Sequence, residues 1–176
     1  MKKKYYVALF IVIILTLSIF VAGYNSVLDK DSNALKLAEL NVDLKDFKTE
    51  DLEAKDYTKA DFPKGIVVVE VFASWCIPCR DSFPEFVKFQ NENKDPNISV
   101  VGIAYDDVSF EIEKFMKEYG TLNTVFRTNV STKDAFKLRS VPQTLFVKDN
   151  KIVYKVYGSM KVKDIEDVVK LVKEKV

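Results

Sequence analysis

Ile66-Val-Val-Val-Glu70-Val-Phe-Ala-Ser-Trp75-Cys76-Ile77-Pro78-Cys79 is the stretch on which the fold turns. Ile66 to Ala73 is a near-continuous apolar run rich in β-branched residues, the pattern of a central strand buried on both faces. A helical pattern follows to about Lys94, with Phe83, Phe86, Val87 and Phe89 forming its core face and Pro84 inside it. A strand that runs into Cys-x-x-Cys at a helix N-terminus has a direct chemical use. The first thiol sits where backbone N–H groups and the helix dipole stabilise a thiolate, and the thiolate is the nucleophile of disulfide exchange. The second thiol lies one turn further in, within reach of a mixed disulfide formed on the first. A purely structural bridge between Cys76 and Cys79 would close too small a loop to constrain the unfolded chain much.

Outward from this unit, Asp95-Pro96-Asn97 is a turn and Ile98 to Tyr105 a second apolar strand. Phe110, Ile112, Phe115, Met116 and Tyr119 mark an amphipathic helix that Gly120 stops. Thr124 to Arg127 reads as a short strand, and Ser131 to Leu138 as a short helix capped by Ser131 or Thr132. Thr144 to Lys148 and Ile152 to Tyr157 flank a hairpin turn at Asp149-Asn150-Lys151. The chain closes with an amphipathic helix carrying Ile165, Val168, Val169 and Val172. The order β-α-β-α-β-α-β-β-α predicts an α/β layer fold with a mixed central sheet flanked by helices. Before it, Asp46 to Lys64 reads as a peripheral segment, with Phe47 and Leu52 on a first outer strand.

Composition narrows the chemistry. The 176 residues suit one domain plus an appendage, and a formal net charge of +1 gives no pointer to nucleic acid. There is no His, which removes Ser-His-Asp and Cys-His catalysis and His-ligated metals. With only 2 Cys in the whole chain, a closed structural zinc site is excluded and no metal is expected.

At the N-terminus Lys2, Lys3 and Lys4 precede an apolar run from Tyr5 to about Gly23. Its length fits a retained single-pass anchor, since about 20 apolar residues span a bilayer. A cleaved signal peptide competes, with small residues at Val21-Ala22-Gly23, although its apolar region usually runs to about 7–15 residues. Both readings leave the lysines inside and export the remainder. The expected organisation is an anchor or signal over 1–23, a polar tether over 24–45 and one domain over 46–176.

Glu70-Val-Phe-Ala-Ser-Trp-Cys-Ile-Pro-Cys79, Pro84 and Val141-Pro142-Gln143-Thr144 together resemble thioredoxins, over about Phe62 to Val176. The N-terminal anchor and the long span from Cys79 to Pro142 resemble extracytoplasmic TlpA/ResA-type proteins, with one extra strand–helix unit at about Val100 to Tyr119. The resemblance implies a thioredoxin fold and a thiol–disulfide oxidoreductase without a cofactor. It implies that Cys76 attacks, that Cys79 resolves, and that Glu70 matches the buried carboxylate. Pro142 matches the cis-proline, which leaves the Val141 backbone to pair with an extended substrate segment, while Trp75, Ile77 and Pro78 flank the substrate.

Two departures stand out. Many ResA-like proteins carry an acidic residue three positions after the second cysteine, where this chain has Ser82. Thioredoxins usually pair the buried carboxylate with a Lys on the neighbouring strand, and Ile98 to Tyr105 contains none.

The expected partners are disulfides of exported proteins and a membrane electron donor, with the domain acting as a monomer. Ile77-Pro78 favours a reductant. An oxidase or isomerase of secreted proteins is the alternative, a tethered binding module with incidental thiols a further one, and a metallochaperone fares worst without His or more sulfur. No Pro-x-x-x-Thr-x-x-Cys arrangement surrounds Cys76, so peroxidase chemistry is not expected.

Overall fold

The computed structural model describes residues 13–19, 36–105 and 108–175. Residues 13–19 are helical. The Thr16 and Ser18 hydroxyls donate to the Ile13 and Leu15 carbonyls, so both polar groups are satisfied within their own turn. The rest of the expected anchor, and most of the expected tether, lies outside the described residues. No helix among the described residues is long and apolar enough to cross a membrane.

The domain from Lys36 is a six-stranded sheet with helices packed on it. Its strands are β1 (Lys36–Asp43), β4 (Ile66–Phe72), β5 (Ile98–Ala104), β6 (Val125–Arg127), β7 (Gln143–Lys148) and β8 (Lys151–Tyr157). They lie in the order β1-β8-β7-β4-β5-β6. β4 pairs in parallel with β5 and antiparallel with β7, and all seven of its residues are buried, as the apolar run requires. The helices are α1 (Ile77–Glu92), α2 (Ser109–Tyr119), α3 (Val130–Ala135) and α4 (Val162–Glu174). From β4 onward the element order is the one the sequence predicts.

On one face of the sheet Phe72 packs on Phe83 of α1 and Phe115 of α2, with ring centroids 4.6 and 5.3 Å apart. The other face holds Val67, Val69, Val71, Leu145 and Val147 against Phe47, Phe62 and Phe136. Gly120 ends α2 with φ 107°, a conformation that favours glycine. Asp149 and Asn150 both take positive φ, 50° and 63°, which suits the two-residue turn of the β7–β8 hairpin.

Three expectations change. The tether predicted over 24–45 includes Lys36–Asp43, which is β1, an edge strand of the main sheet paired with β8. Ala38, Leu40 and Val42 alternate inward along it, and their burial, with the pairing to β8, holds it there. The outer strand expected near Phe47 and Leu52 is β2 (Lys48–Glu50), which pairs with β3 (Asp56–Thr58) in a separate small sheet while Phe47 enters the core. The short third helix starts earlier than expected. Asn129 caps it and exchanges hydrogen bonds with Thr132, because an amide oxygen at that position reaches the free N–H at 2.9 Å. The residues of the strand–helix unit expected at Val100–Tyr119 fall in β5 and α2. β5 is interior, and β6 forms the sheet edge.

Candidate active site

β4 ends at Phe72, and the chain turns through Ala73 to Trp75 before α1 begins. Cys76 is the N-cap of α1, and Pro78 stands in its first turn. Cys76 and Cys79 form a disulfide with 5.3 Å between Cα atoms. The Cys79 N–H donates to Cys76 Sγ at 3.2 Å, so the first sulfur already occupies the position of an N-cap acceptor. On reduction the same N–H is a ready-made donor to a thiolate. Cys76 is 4% exposed and Cys79 is fully buried, so Cys76 is the outer sulfur of the pair.

The Val141–Pro142 peptide is cis. Pro142 is buried, its carbonyl accepts from Gly158 N–H at 3.1 Å, and Ser159 Oγ donates to the Pro78 carbonyl at 3.1 Å. The end of β8 is thereby tied both to the proline loop and to the first turn of α1. Among the described residues neither the N–H nor the C=O of Val141 takes part in a hydrogen bond, so both are available to an extended chain. Trp75, Ile77 and Pro78 are exposed around the disulfide.

Glu70 lies beneath α1 and is fully buried. Its Oε2 accepts from Thr144 Oγ1 at 2.9 Å and its Oε1 from Ser82 Oγ at 3.2 Å. Ser82 is one helical turn beyond Cys79 on the buried face of α1, so the hydroxyl links the carboxyl to the helix that carries the inner thiol. Burial pushes the Glu70 carboxyl up to about 8, and the two hydroxyl donors offset only part of that rise. Its β5 neighbour is Gly102, not a lysine. A Cβ at Gly102 would come within 3.2 Å of Leu122 and Phe72 side chains, so the space a cation would need is already filled.

All the sequence-predicted site residues therefore converge at one end of the sheet except Glu70, which lies just below it. The Glu70 partners Ser82 and Thr144 were not identified from sequence. Thr144 ends the Val141–Thr144 motif. The cross-strand register of β4 and β7, Glu70 opposite Thr144, is the signal that would have found it.

A disulfide-bonded cysteine pair at a helix N-terminus, with a cis-proline loop at the same end of a mixed sheet, is the arrangement of a thioredoxin-like disulfide-exchange site. The chain belongs to the AhpC/TSA family, whose model matches residues 40–156. Thiol-disulfide oxidoreductase ResA of Halalkalibacterium halodurans is 21% identical over 174 residues, covering 98% of this chain and 97% of that protein. The ResA of Bacillus subtilis is 26% identical over 133 residues, 74% of each chain. The crystal structure of a thioredoxin-family thiol:disulfide interchange protein from Chlorobium tepidum shares the fold, with a TM-score of 0.65, 20% identity, and coverage of 76% of this chain and 97% of that one. Fold, cysteine pair and relatives agree on the enzyme class, thiol–disulfide oxidoreductase.

Proposed function

We propose that this chain is a single-pass membrane-tethered enzyme that reduces disulfides in exported proteins outside the cytoplasm. The anchor is residues 1–23, a tether follows, and the domain acts as a monomer. The observation that carries the reading is the Cys76–Cys79 pair at the N-terminus of α1, tied through β8 to the cis Val141–Pro142 loop.

In the reduced enzyme the Cys76 thiolate attacks one sulfur of a substrate disulfide, and the other substrate sulfur leaves as a thiolate. Cys79 loses its proton and attacks Cys76 Sγ in the mixed disulfide. The substrate departs with two thiols, and the enzyme keeps the Cys76–Cys79 disulfide. Two electrons have moved to the substrate, and a dithiol donor in the membrane returns them. Trp75, Ile77, Pro78 and the Val141–Pro142 backbone hold the substrate segment. In its ionised form, a fraction that grows as pH nears about 8, Glu70 accepts the Cys79 proton, directly or through one water. The unit at Val100–Tyr119 belongs to this reading as the segment added to a minimal thioredoxin.

Equilibration with dithiothreitol or glutathione buffers tests the direction. The expected potential is near that of thioredoxin, about −270 mV, and a value above about −170 mV would assign the chain to the oxidases. Protease treatment of intact spheroplasts tests the topology. The domain should be digested, and its full protection until lysis would contradict an exported position.

A further inference from the structure

The exposed apolar side chains of this domain are gathered at one end of the sheet. β4, β5 and β6 run parallel, so their C-terminal ends lie together beside the start of β7 and the end of β8. Tyr105 N–H donating to the Phe72 carbonyl at 2.7 Å, and Thr128 N–H to Ala104 at 3.0 Å, keep those ends level. Trp75, Ile77, Val108, Phe110, Val130 and Tyr157 all stand at or just beyond those strand ends, on the end of the sheet that carries Cys76, and all are exposed. Leu37 joins them from the start of β1. Among the large apolar residues described as exposed in the domain, Leu171 on α4 is the one that lies elsewhere.

Phe110 is 67% exposed and Val108 58%, yet the helix they introduce is firmly seated. Phe115 packs on Phe72 and Phe83, with centroids 5.3 and 5.1 Å apart. A small cleft joins Ser74 and Arg80 to Glu111, Lys114 and Glu118, so the first turns of α2 stand directly beside the active-site loop. The exposure of Phe110 is therefore a property of a fixed surface. Clusters of this kind mark binding sites.

We infer that Val108 and Phe110 form a specificity subsite for a large apolar residue flanking the disulfide of an extended polypeptide substrate. The inference rests on the proposed reductase reading and names its substrate class. The occupant is set by the chemistry. A mixed disulfide fixes a substrate sulfur on Cys76, so the chain bearing that sulfur must lie over the neighbouring surface. The unpaired Val141 N–H and C=O receive it as an extended strand. In such a strand alternate side chains point to the same face, about 7 Å apart. One of them meets the apolar shelf beside Trp75.

The test uses the reduced full-length protein in detergent and three oxidised substrates. One is a peptide whose disulfide is flanked by Phe and Leu, one the same peptide with Ser and Glu in those places, and one glutathione disulfide. The apolar-flanked peptide should react roughly tenfold faster than the polar one, as one buried side chain typically gives. Phe110→Ser with Val108→Ser should remove most of that preference, and Leu171→Ser should retain it. Equal rates for the two peptides in the unaltered protein would overturn the inference, as would a preference that survives the double substitution. A dimer dissociated by Phe110→Ser would give the surface to a second copy and also overturn it. No reaction with any of the three disulfides, glutathione disulfide included, would instead remove the reductase reading on which the inference stands.

Discussion

Glu70 and Lys155 are a buried acid and a buried base in the same sheet, and the chain treats them differently. Glu70 sits on β4 facing α1 and receives two hydroxyl hydrogen bonds. Lys155 sits on β8, opposite Leu145, and faces the other side. It is 4% exposed, and its ammonium donates to the Lys137 carbonyl at 2.8 Å. Among the described residues neither has a counter-ion. Burial raises the Glu70 carboxyl to about 8, whereas burial, with Arg139 and Lys137 adding repulsion, lowers the Lys155 ammonium. The carboxyl lies under the helix that carries the thiols, where a proton acceptor near neutrality is useful. The lysine holds the residue that ends the turn after α3, on the way to the cis-proline loop. A buried charge is costly in both places, and only at Glu70 does that cost place a titrating group beside the chemistry.

The largest effect expected from this difference is on stability. Folded Glu70 keeps its proton up to about pH 8, and the unfolded chain loses it near 4.5. Between those values the native state binds more protons than the unfolded one, so stability falls as pH rises. Its contribution is complete below the lower value and is lost through the upper one. Glu70→Gln keeps the shape and removes the titration. Urea unfolding of the oxidised protein should show the two variants level at about pH 4 and Gln ahead by on the order of 3–4 kcal/mol at about pH 8. Parallel curves across that range would show that Glu70 ionises in the unfolded and folded states alike.

The second effect is kinetic. Glu70→Gln should slow resolution of the mixed disulfide by about a hundredfold while the first attack by Cys76 is largely spared. Stopped-flow measurements on a model disulfide separate the two steps, and the wild-type resolution rate should lose its step near pH 8 in the variant. Resolution at wild-type speed at every pH would leave Glu70 a structural residue and make water the proton acceptor.

The same contrast shows what could be read from the sequence. Glu70 stands out because a carboxylate interrupts Val67-Val68-Val69 and Val71-Phe72, and that run can only be a central strand. Lys155 interrupts Val153-Tyr154 and Val156-Tyr157 in the same way, yet it does not stand out. A closing hairpin reads as a sheet edge, where a lysine points to water. The strand that buries it is β1, which lies well before the Glu70–Cys79 motif in sequence and whose charges read as a tether. Ala38 pairs with Lys155, and the alternation Ala38, Leu40, Val42 was the available signal. The dithiol, its helix and the cis-proline were legible because each is a local pattern in a recognisable family. The hydroxyls of Ser82 and Thr144 were not, because what brings them to Glu70 is register between distant elements.

Gln143 supplies a third buried polar group, one that does not titrate. It is fully buried at the start of β7, and among the described residues neither of its side-chain amide atoms has a partner. An unpaired buried amide costs about 1–3 kcal/mol. Gln143→Met, similar in volume, should therefore stabilise by about 2 kcal/mol, with the gain flat across pH. A loss of stability in urea unfolding would mean that the amide is satisfied after all, by water being the simplest means.

The smallest effect belongs to Lys155, and its sign with pH is the reverse of that at Glu70. The folded ammonium loses its proton below the ordinary lysine value of 10.5, and the unfolded one keeps it until then. Between the two values the unfolded chain binds more protons, so wild-type stability rises with pH across that window. Below it the cost of the buried charge is fully present. Lys155→Met removes the charge and preserves the stem that packs among Leu145 and its neighbours. It also leaves the Lys137 carbonyl without its donor, which offsets part of the gain. At about pH 7 the net should be a stabilisation of about 1 kcal/mol, shrinking as the pH approaches 10.5. Lys137 has a left-handed backbone, with φ 53°, so the hydrogen bond also secures a turn that few residues adopt unaided. If Lys155→Met is instead destabilised at pH 7 and the deficit closes in alkali, the bond to Lys137 outweighs the burial of the charge. Lys155 would then be a clamp on the turn leading to the cis-proline.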